Sequence, residues 1–202
     1  MTDPSTQQQK ARERVYQAVS RVEPFDSLEA KHIHEVLAWI ESGTPIFRIS
    51  KPDNPYRHLV SYFILYDQLR NLLMLIDHVK AGAWLPPGGH IDPDENPRTT
   101  VVREASEELG IKAVFDTVFG NDPLFVTINT TNPPGSHEDV SLWYVISGDS
   151  TQPLAFDARE MGGYKWLPPA EVLDMHISQL DANMHRFIRK FLSRLQISPK
   201  HS

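Results

Sequence analysis

The most constraining feature of the chain is a run of 23 residues from Gly89 to Ile111, GHIDPDENPRTTVVREASEELGI. Glycine, glutamate and arginine recur in it at wide, fixed intervals. Asn96 can cap a helix, Pro97 suits the first helical position, and Gly110 can end the helix. The run therefore predicts a glycine-rich turn followed by an acidic helix over residues 96–109.

Three acids of this helix share one face. Positions i, i+3 and i+4 of a helix lie together, so Glu104, Glu107 and Glu108 project side by side and repel each other by roughly 0.2–0.5 kcal/mol per pair. Such a group is either a solvated charged face or a cation site. Oxygen clusters suit Mg²⁺, which typically takes one or two carboxylates plus substrate phosphates, and a carbonyl of the PPGGH turn could join them.

Composition excludes several classes of function. The net charge of −6 gives no basic surface for a nucleic-acid backbone, so we expect no nucleic-acid partner. Zero cysteines exclude disulfides, thiolate zinc sites and a cysteine nucleophile. No run approaches 18 apolar residues, and the first residues lack the apolar core of a signal peptide. We expect a soluble, cytoplasmic protein without a membrane partner.

Two predicted helices come before residues 45–55, and beyond that point the sequence becomes rich in strand-forming residues. Residues 7–22 carry a thin apolar stripe, and the segment from Asp26 to Gly43 has capping-box spacing between Asp26 and Glu29, with Gly43 as a C-cap. We predict an N-terminal helical extension over 1–45 and a main domain over 46–202 with C-terminal helices. The extension could cover a site, form a dimer interface or complete the core.

The rest of the chain alternates short strands with few helices. Strand-like runs, helix-like runs and turn residues give this order: strands at 58–67, 71–79 and 83–87, the acidic helix, strands at 113–120, 124–130, 139–149 and 163–168, and helices at 169–175 and 181–195. This order predicts an α+β fold in which helices cover a sheet.

The acidic run also resembles a known family signature. Its residues match the Nudix box, G-x5-E-x7-R-E-U-x-E-E-x-G-U with U aliphatic, at all seven fixed letters: Gly89, Glu95, Arg103, Glu104, Glu107, Glu108 and Gly110. From about residue 58 to 168 the chain resembles Nudix hydrolases of the MutT-like branch. The resemblance implies an α/β/α sandwich with a mixed β-sheet and hydrolysis of phosphoanhydrides in nucleoside diphosphate derivatives with Mg²⁺ or Mn²⁺.

The resemblance also assigns roles by position. Glu104, Glu107, Glu108 and the Gly89 carbonyl resemble the metal ligands, and Arg103 resembles the arginine that orients a box glutamate, here Glu95. Glu104 is the first candidate for the general base. Glu160, six residues before Trp166, resembles a further ligand or replacement base of the MutT-type branch, with an exposed loop acid as the alternative.

Substrate contacts are less determined. We name Gly88, His90, Arg57 and Lys80 as candidates for contacting substrate phosphates. His58 and His78 are expected to be half-buried and hydrogen-bonded, and no spacing typical of zinc sites occurs among the histidines. Trp143 and Tyr144 either face a base or pack in the core, and we expect the core.

The resemblance favours a MutT-like nucleoside triphosphate or diphosphate pyrophosphohydrolase. An ADP-ribose or nucleotide-sugar pyrophosphatase is the alternative, although Pro123 lies only twelve residues beyond Ile111, a poor match to the ADP-ribose pattern. A diadenosine-polyphosphate hydrolase is disfavoured because no tyrosine stands at positions 127–129. A non-catalytic nucleotide-binding module is disfavoured because all the box glutamates remain. A homodimer is compatible with the family.

Overall fold

The computed structural model describes residues 4–50, 54–93, 95–131, 136–156, 158–159 and 161–197. In chain order the elements are α1 Pro4–Ser20, α2 Ser27–Glu41, β1 Arg57–Asp67, β2 Leu72–His78, β3 Ala83–Leu85, β4 Gly88–His90, α3 Pro97–Leu109, β5 Phe125–Thr130, β6 Glu138–Ser147, β7 Met161–Leu167, α4 Pro169–Asp174, a 3-10 turn Ile177–Gln179 and α5 Met184–Ile197. Among the described residues, no helix is both long enough and apolar enough to cross a membrane.

The described residues divide into two compact units. The first unit comprises Met1–Tyr62, Gly88–Val101 and Asp122–Trp143, and the second comprises Phe63–Pro87, Val102–Asn121 and Tyr144–Ser202. By these ranges β1, α3 and β6 each contribute residues to both units. The predicted boundary at residue 45 stays a prediction.

In the first unit, the N-terminal helices join a sheet. α1 packs against α2, and α2 packs against β5. β5 pairs antiparallel with β6 from Phe125↔Trp143 to Thr130↔Glu138. The capping prediction at α2 is confirmed, because Asp26 Oδ1 accepts a hydrogen bond of 2.8 Å from Glu29 N. The apolar face of α2 is therefore buried within the chain itself.

In the second unit, β2 is the central strand. It pairs antiparallel with β1, β3 and β7. Phe187 and Phe191 of α5 are buried, and Phe191 lies edge-on to Tyr66 and stacks on Phe119. α4 packs against α5. The helical tail therefore belongs to the core of this unit.

The sheet is mixed. Glu138 N donates to Tyr56 O in the first unit, and Gly148 N donates to Tyr66 O in the second. The two bonded residues are 82 positions apart in both cases (138 − 56 and 148 − 66). A constant separation means that β6 runs parallel to β1, whereas the other pairings named here are antiparallel. The strand order is β3-β2-β1-β6-β5, with β4 paired to β1 and β7 to β2.

Two sequence-based assignments are corrected. The predicted strand at 113–120 is an isolated bridge between Phe115 and Ile146, because the chain turns at Asp116, whose Oδ1 accepts from Val118 N. The glycine-rich segment expected to be only a turn contains β4, which pairs antiparallel with β1 through Val60↔His90 and Tyr62↔Gly88.

Candidate active site

Local rules fix both ends of α3, the helix that carries the acids. In the first unit, Asn96 Oδ1 accepts a hydrogen bond of 2.9 Å from Arg98 N, so Asn96 caps the helix as predicted. In the second unit, Gly110 adopts φ +66, and Ile111 N donates to Ala105 O at 3.1 Å. This is the left-handed glycine ending that the sequence predicted.

The three glutamates lie on the part of α3 that belongs to the second unit. Glu104 has a side chain only 12% exposed, while that of Glu107 is 60% exposed. Arg103 Nη1 lies 2.7 Å from Glu104 Oε1 and 3.2 Å from Glu107 Oε2. A single cationic nitrogen therefore lies between two carboxylates of this face.

That arrangement fits a metal site. Two carboxylate oxygens from adjacent turns of α3 converge on one positive charge, which is the donor chemistry that a hard divalent ion requires. Glu108 is half-buried on the same helix. The residues present therefore suit a hard divalent cation held by carboxylate oxygens.

Gly88 and Gly89 lie in β4, in the first unit. Gly88 has φ +148, and a Cβ built on it would lie 2.2 Å from Ser61 O and 2.8 Å from Tyr62 Cα. Only a residue without a side chain allows the two strands to come this close. Gly89 pairs with Ser61, and Ser61 Oγ donates to Pro97 O at 2.9 Å, which ties β1 to the start of α3.

Glu95 is held by its own loop in the first unit. Its Oε2 accepts hydrogen bonds from Thr100 Oγ1 at 2.7 Å and from Asp92 N at 3.3 Å. Thr100 is fully buried, so the carboxylate is anchored to the first turn of α3. The predicted orientation of Glu95 by Arg103 stays a prediction.

The two basic residues among the candidate phosphate contacts, Arg57 and Lys80, differ in their surroundings. In the first unit, Arg57 Nε lies 2.6 Å from Glu138 Oε2, and Arg57 Nη2 lies 2.8 Å from Glu35 Oε1. The guanidinium also lies over the Trp39 ring. Burial by itself would lower the pKa of Arg57, but the hydrogen bonds to Glu138 and Glu35 outweigh it and raise that pKa. These contacts favour a structural role. Lys80 is exposed in the turn between β2 and β3.

The aromatic assignment is confirmed for the core. Trp143 and Tyr144 are buried, and Trp143 Nε1 donates to Thr127 Oγ1 at 3.0 Å in the first unit. Glu160, the further ligand predicted from its distance to Trp166, lies outside the described residues. The roles assigned to Gly89, Glu104, Glu107, Glu108 and His90 stay predictions.

Sequence reasoning missed one group of side chains. His58, His90, His137 and Asp139 lie together in the first unit, with one ligand atom from each within 4.8 Å of the others. His58 is fully buried rather than half-buried. Only His137 and Asp139 are near each other in sequence, so no local spacing could have revealed the group.

Comparison with known proteins shows which family model the chain matches. The sequence model of the NUDIX domain matches residues 55–194, which is 140 of the 202 residues. Over 102 residues the chain is 29% identical to the CTP pyrophosphohydrolase of Escherichia coli K12, covering 50% of this chain and 67% of that protein. Over 30 residues it is 57% identical to the asymmetrical bis(5'-nucleosyl)-tetraphosphatase of Rattus norvegicus, covering 15% of this chain and 20% of the rat protein.

Solved structures agree with the fold. The MutT protein of Methanosarcina mazei superimposes with a TM-score of 0.52 at 21% identity, over 69% of this chain and 95% of that one. A likeness at this identity concerns the fold alone. It confirms the predicted α/β fold with a mixed sheet, here preceded by two N-terminal helices.

Proposed function

Because the chain belongs to the NUDIX domain family and is a pyrophosphohydrolase of that family, we propose that it is a MutT-like, Mg²⁺-dependent hydrolase of nucleoside triphosphates or diphosphates. The observation that carries the proposal is the convergence of Glu104 and Glu107 on the single cation Arg103, within the matched segment. The likeness to a CTP pyrophosphohydrolase supports a nucleotide as substrate.

The proposed metal ligands are assigned from their positions in the sequence. Glu104, Glu107, Glu108 and the Gly89 carbonyl would hold the metal, and Glu160 is proposed as a further ligand. When bound, a divalent ion neutralises the phosphate charge and lowers the pKa of a coordinated water. Mn²⁺ could replace Mg²⁺, because the donors are mainly hard carboxylate oxygens.

Glu104 is proposed as the general base. Its carboxylate takes one proton as the water oxygen bonds to phosphorus, and the bridging phosphorus–oxygen bond breaks to release pyrophosphate or phosphate. Arg103 fixes the orientation of Glu104 through the 2.7 Å contact. Glu160 is the alternative base.

The backbone around β4 is proposed to receive the phosphates. Gly88 and His90, the first and last residues of β4, are the proposed phosphate contacts of this segment. Arg57 and Lys80 remain candidates for contacting phosphate oxygens, Lys80 by reason of its exposure. The expected partner is a small nucleoside diphosphate derivative, and a homodimer and a cytoplasmic location remain part of the proposal.

The test is product release across a substrate panel, with Mg²⁺ and with EDTA. The panel contains canonical and oxidised nucleoside triphosphates, nucleoside diphosphates, ADP-ribose, nucleotide sugars and dinucleoside polyphosphates. We expect Mg²⁺-dependent release of pyrophosphate or phosphate from the nucleoside tri- or diphosphates. Turnover of ADP-ribose or nucleotide sugars alone would overturn the substrate assignment in favour of that alternative. Nucleotide binding without turnover of any panel member would identify a non-catalytic binding module.

A further inference from the structure

The group formed by His58, His90, His137 and Asp139, hereafter the histidine cluster, lies wholly within the first unit. Its members come from β1, β4, the residue before β6 and β6 itself. The box glutamates contribute nothing to it. The cluster needs its own explanation, because the roles proposed for the box glutamates do not account for it.

The spacing of the donor atoms is that of a metal site. His58 Nε2 lies 3.0 Å from His90 Nε2 and 3.2 Å from Asp139 Oδ1, and His137 Nε2 lies 3.3 Å from the same Oδ1. Ligands of a tetrahedral ion at bond lengths of about 2.0–2.1 Å stand about 3.3 Å apart. Small rotations of the side chains would bring the remaining pairs, all within 4.8 Å, to that separation.

Contacts behind two of the three rings, those of His58 and His137, orient their Nε2 lone pairs inward. His58 Nδ1 lies 2.9 Å from Pro55 O, and a carbonyl can only accept, so Nδ1 carries the proton and the Nε2 of the neutral ring has a lone pair. His137 Nδ1 lies 3.2 Å from Thr131 Oγ1, whose own proton can go to His137 O at 3.3 Å. Such outer contacts are typical of histidines that bind metals through the other nitrogen.

Asp139 supplies an independent indication. The residue is 9% exposed, and its Oδ1 finds no hydrogen-bond donor in suitable geometry among the described residues. Two imidazole nitrogens nevertheless lie within 3.3 Å of that oxygen. A buried carboxylate oxygen without a donor is costly, and a cation between it and the imidazoles removes the cost.

We propose that the histidine cluster binds one divalent transition-metal ion of the Zn²⁺ class, through none of the ligands proposed for Mg²⁺. Imidazole nitrogens suit Zn²⁺ and its neighbours, whereas Mg²⁺ prefers an all-oxygen shell. Four protein ligands complete a tetrahedral shell, so the site is structural. It joins β4 to β1 and β6 and fixes His90, the residue after Gly89.

The experiment uses the full chain stripped of metal by a strong chelator. Co²⁺ is added in the presence of excess Mg²⁺, which occupies carboxylate sites, and visible absorption is recorded. We expect one Co²⁺ per chain with the intense bands of four-coordinate Co²⁺, and displacement by one equivalent of Zn²⁺. Carboxylate-bound Co²⁺ would be octahedral and give only weak bands.

Variants separate this site from the box. His137→Ala and Asp139→Asn should weaken Co²⁺ binding by about 100-fold or more, since loss of a direct ligand should exceed the roughly 10–100-fold cost of losing an outer contact. His34→Ala, an exposed histidine of α2, is the matched control and should bind Co²⁺ as the parent does. Glu107→Gln should also keep the Co²⁺ bands.

Thermal unfolding gives a second readout if a variant folds poorly. Zn²⁺ should raise the Tm of the parent and of His34→Ala, because a ligand that binds only the folded state stabilises it. It should leave the Tm of Asp139→Asn unchanged. Weak octahedral bands only, or equal Co²⁺ affinity in the parent, His137→Ala and Asp139→Asn, would overturn the proposal. Neither result would bear on hydrolysis by the box.

Discussion

Glu29 and Val126 lie 97 residues apart in sequence, and Glu29 Oε1 accepts a hydrogen bond of 3.2 Å from the backbone N of Val126. Val126 belongs to β5, the strand at one edge of the sheet, and Glu29 Oε2 also accepts from Phe25 N at 2.7 Å. The fully buried carboxylate of Glu29 therefore accepts hydrogen bonds both from the backbone just before α2 and from the backbone of an edge strand.

Glu29→Gln should destabilise the protein. One amide oxygen can accept from Val126 or Phe25, but the amide nitrogen would then face the other donor, and a buried unsatisfied donor costs about 1–3 kcal/mol. Urea unfolding measures the loss. Glu13→Gln, at an exposed position of α1, is the control and should change the free energy of unfolding by less than about 0.5 kcal/mol. Equal stability of the two variants would show that α2 is not tied to β5.

Gly88→Ala should prevent β4 from pairing with β1. The new Cβ would lie 2.2 Å from Ser61 O, at a φ of +148 that side chains rarely adopt. We expect a loss of about 3 kcal/mol or more in the free energy of unfolding. Gly82→Ala is the control, because Gly82 also has positive φ but nothing within 4 Å of its Cβ position, so only the backbone cost of about 1–2 kcal/mol applies. If Gly82→Ala proves the more damaging change, the close approach at Gly88 is not real.

Asp67 gives a prediction about pH. Burial by itself would raise its pKa, but hydrogen bonds from Ser150 Oγ at 2.6 Å, Ser150 N and Arg70 outweigh it and hold the pKa of Asp67 well below its usual range. A lowered folded-state pKa adds stability above the unfolded value of about 3.9, and that contribution is lost as the pH falls through the folded value.

Asp67→Asn should therefore cost about 1–2 kcal/mol at pH 7, from the loss of charge-assisted hydrogen bonds. The difference from the parent should begin to shrink below about pH 4, because the unfolded parent chain binds a proton at Asp67 there while the folded parent still holds the carboxylate ionised. Urea unfolding at pH 7, 4 and 3 measures it, with Asp174→Asn, at an exposed position in α4, as control. A difference that stays constant down to pH 3 would contradict the ionised state assigned to Asp67.

Local chemistry made much of the site predictable. The caps at Asn96 and Gly110, the common face of Glu104 and Glu107, and the capping pair Asp26–Glu29 depend on residues within a few positions of each other. Each was read from spacing and is present in the structure.

Features that depend on distant residues were not predictable. β4 was read as a turn because Gly88 and Gly89 favour turns, and its pairing with β1 depends on Ser61 and Tyr62. The phosphate contact of Arg57 stays a prediction, but its ion pairs with Glu35 and Glu138, which lie 22 and 81 residues away, could not be predicted from local spacing. The histidine cluster joins positions as far apart as 58 and 139, so no spacing rule applies to it.

The central claim is that the repulsion among the box glutamates serves a metal site. Glu107→Gln tests it most directly, through the initial rate of hydrolysis of a nucleoside triphosphate mixture as Mg²⁺ is raised, compared with the parent and with Glu171→Gln, an exposed acid of α4. We predict that Glu107→Gln requires more Mg²⁺ and hydrolyses about 100–1,000-fold more slowly, with a Tm within about 2 °C of the parent. A Glu107→Gln protein with the Mg²⁺ dependence and rate of the parent would contradict the assignment.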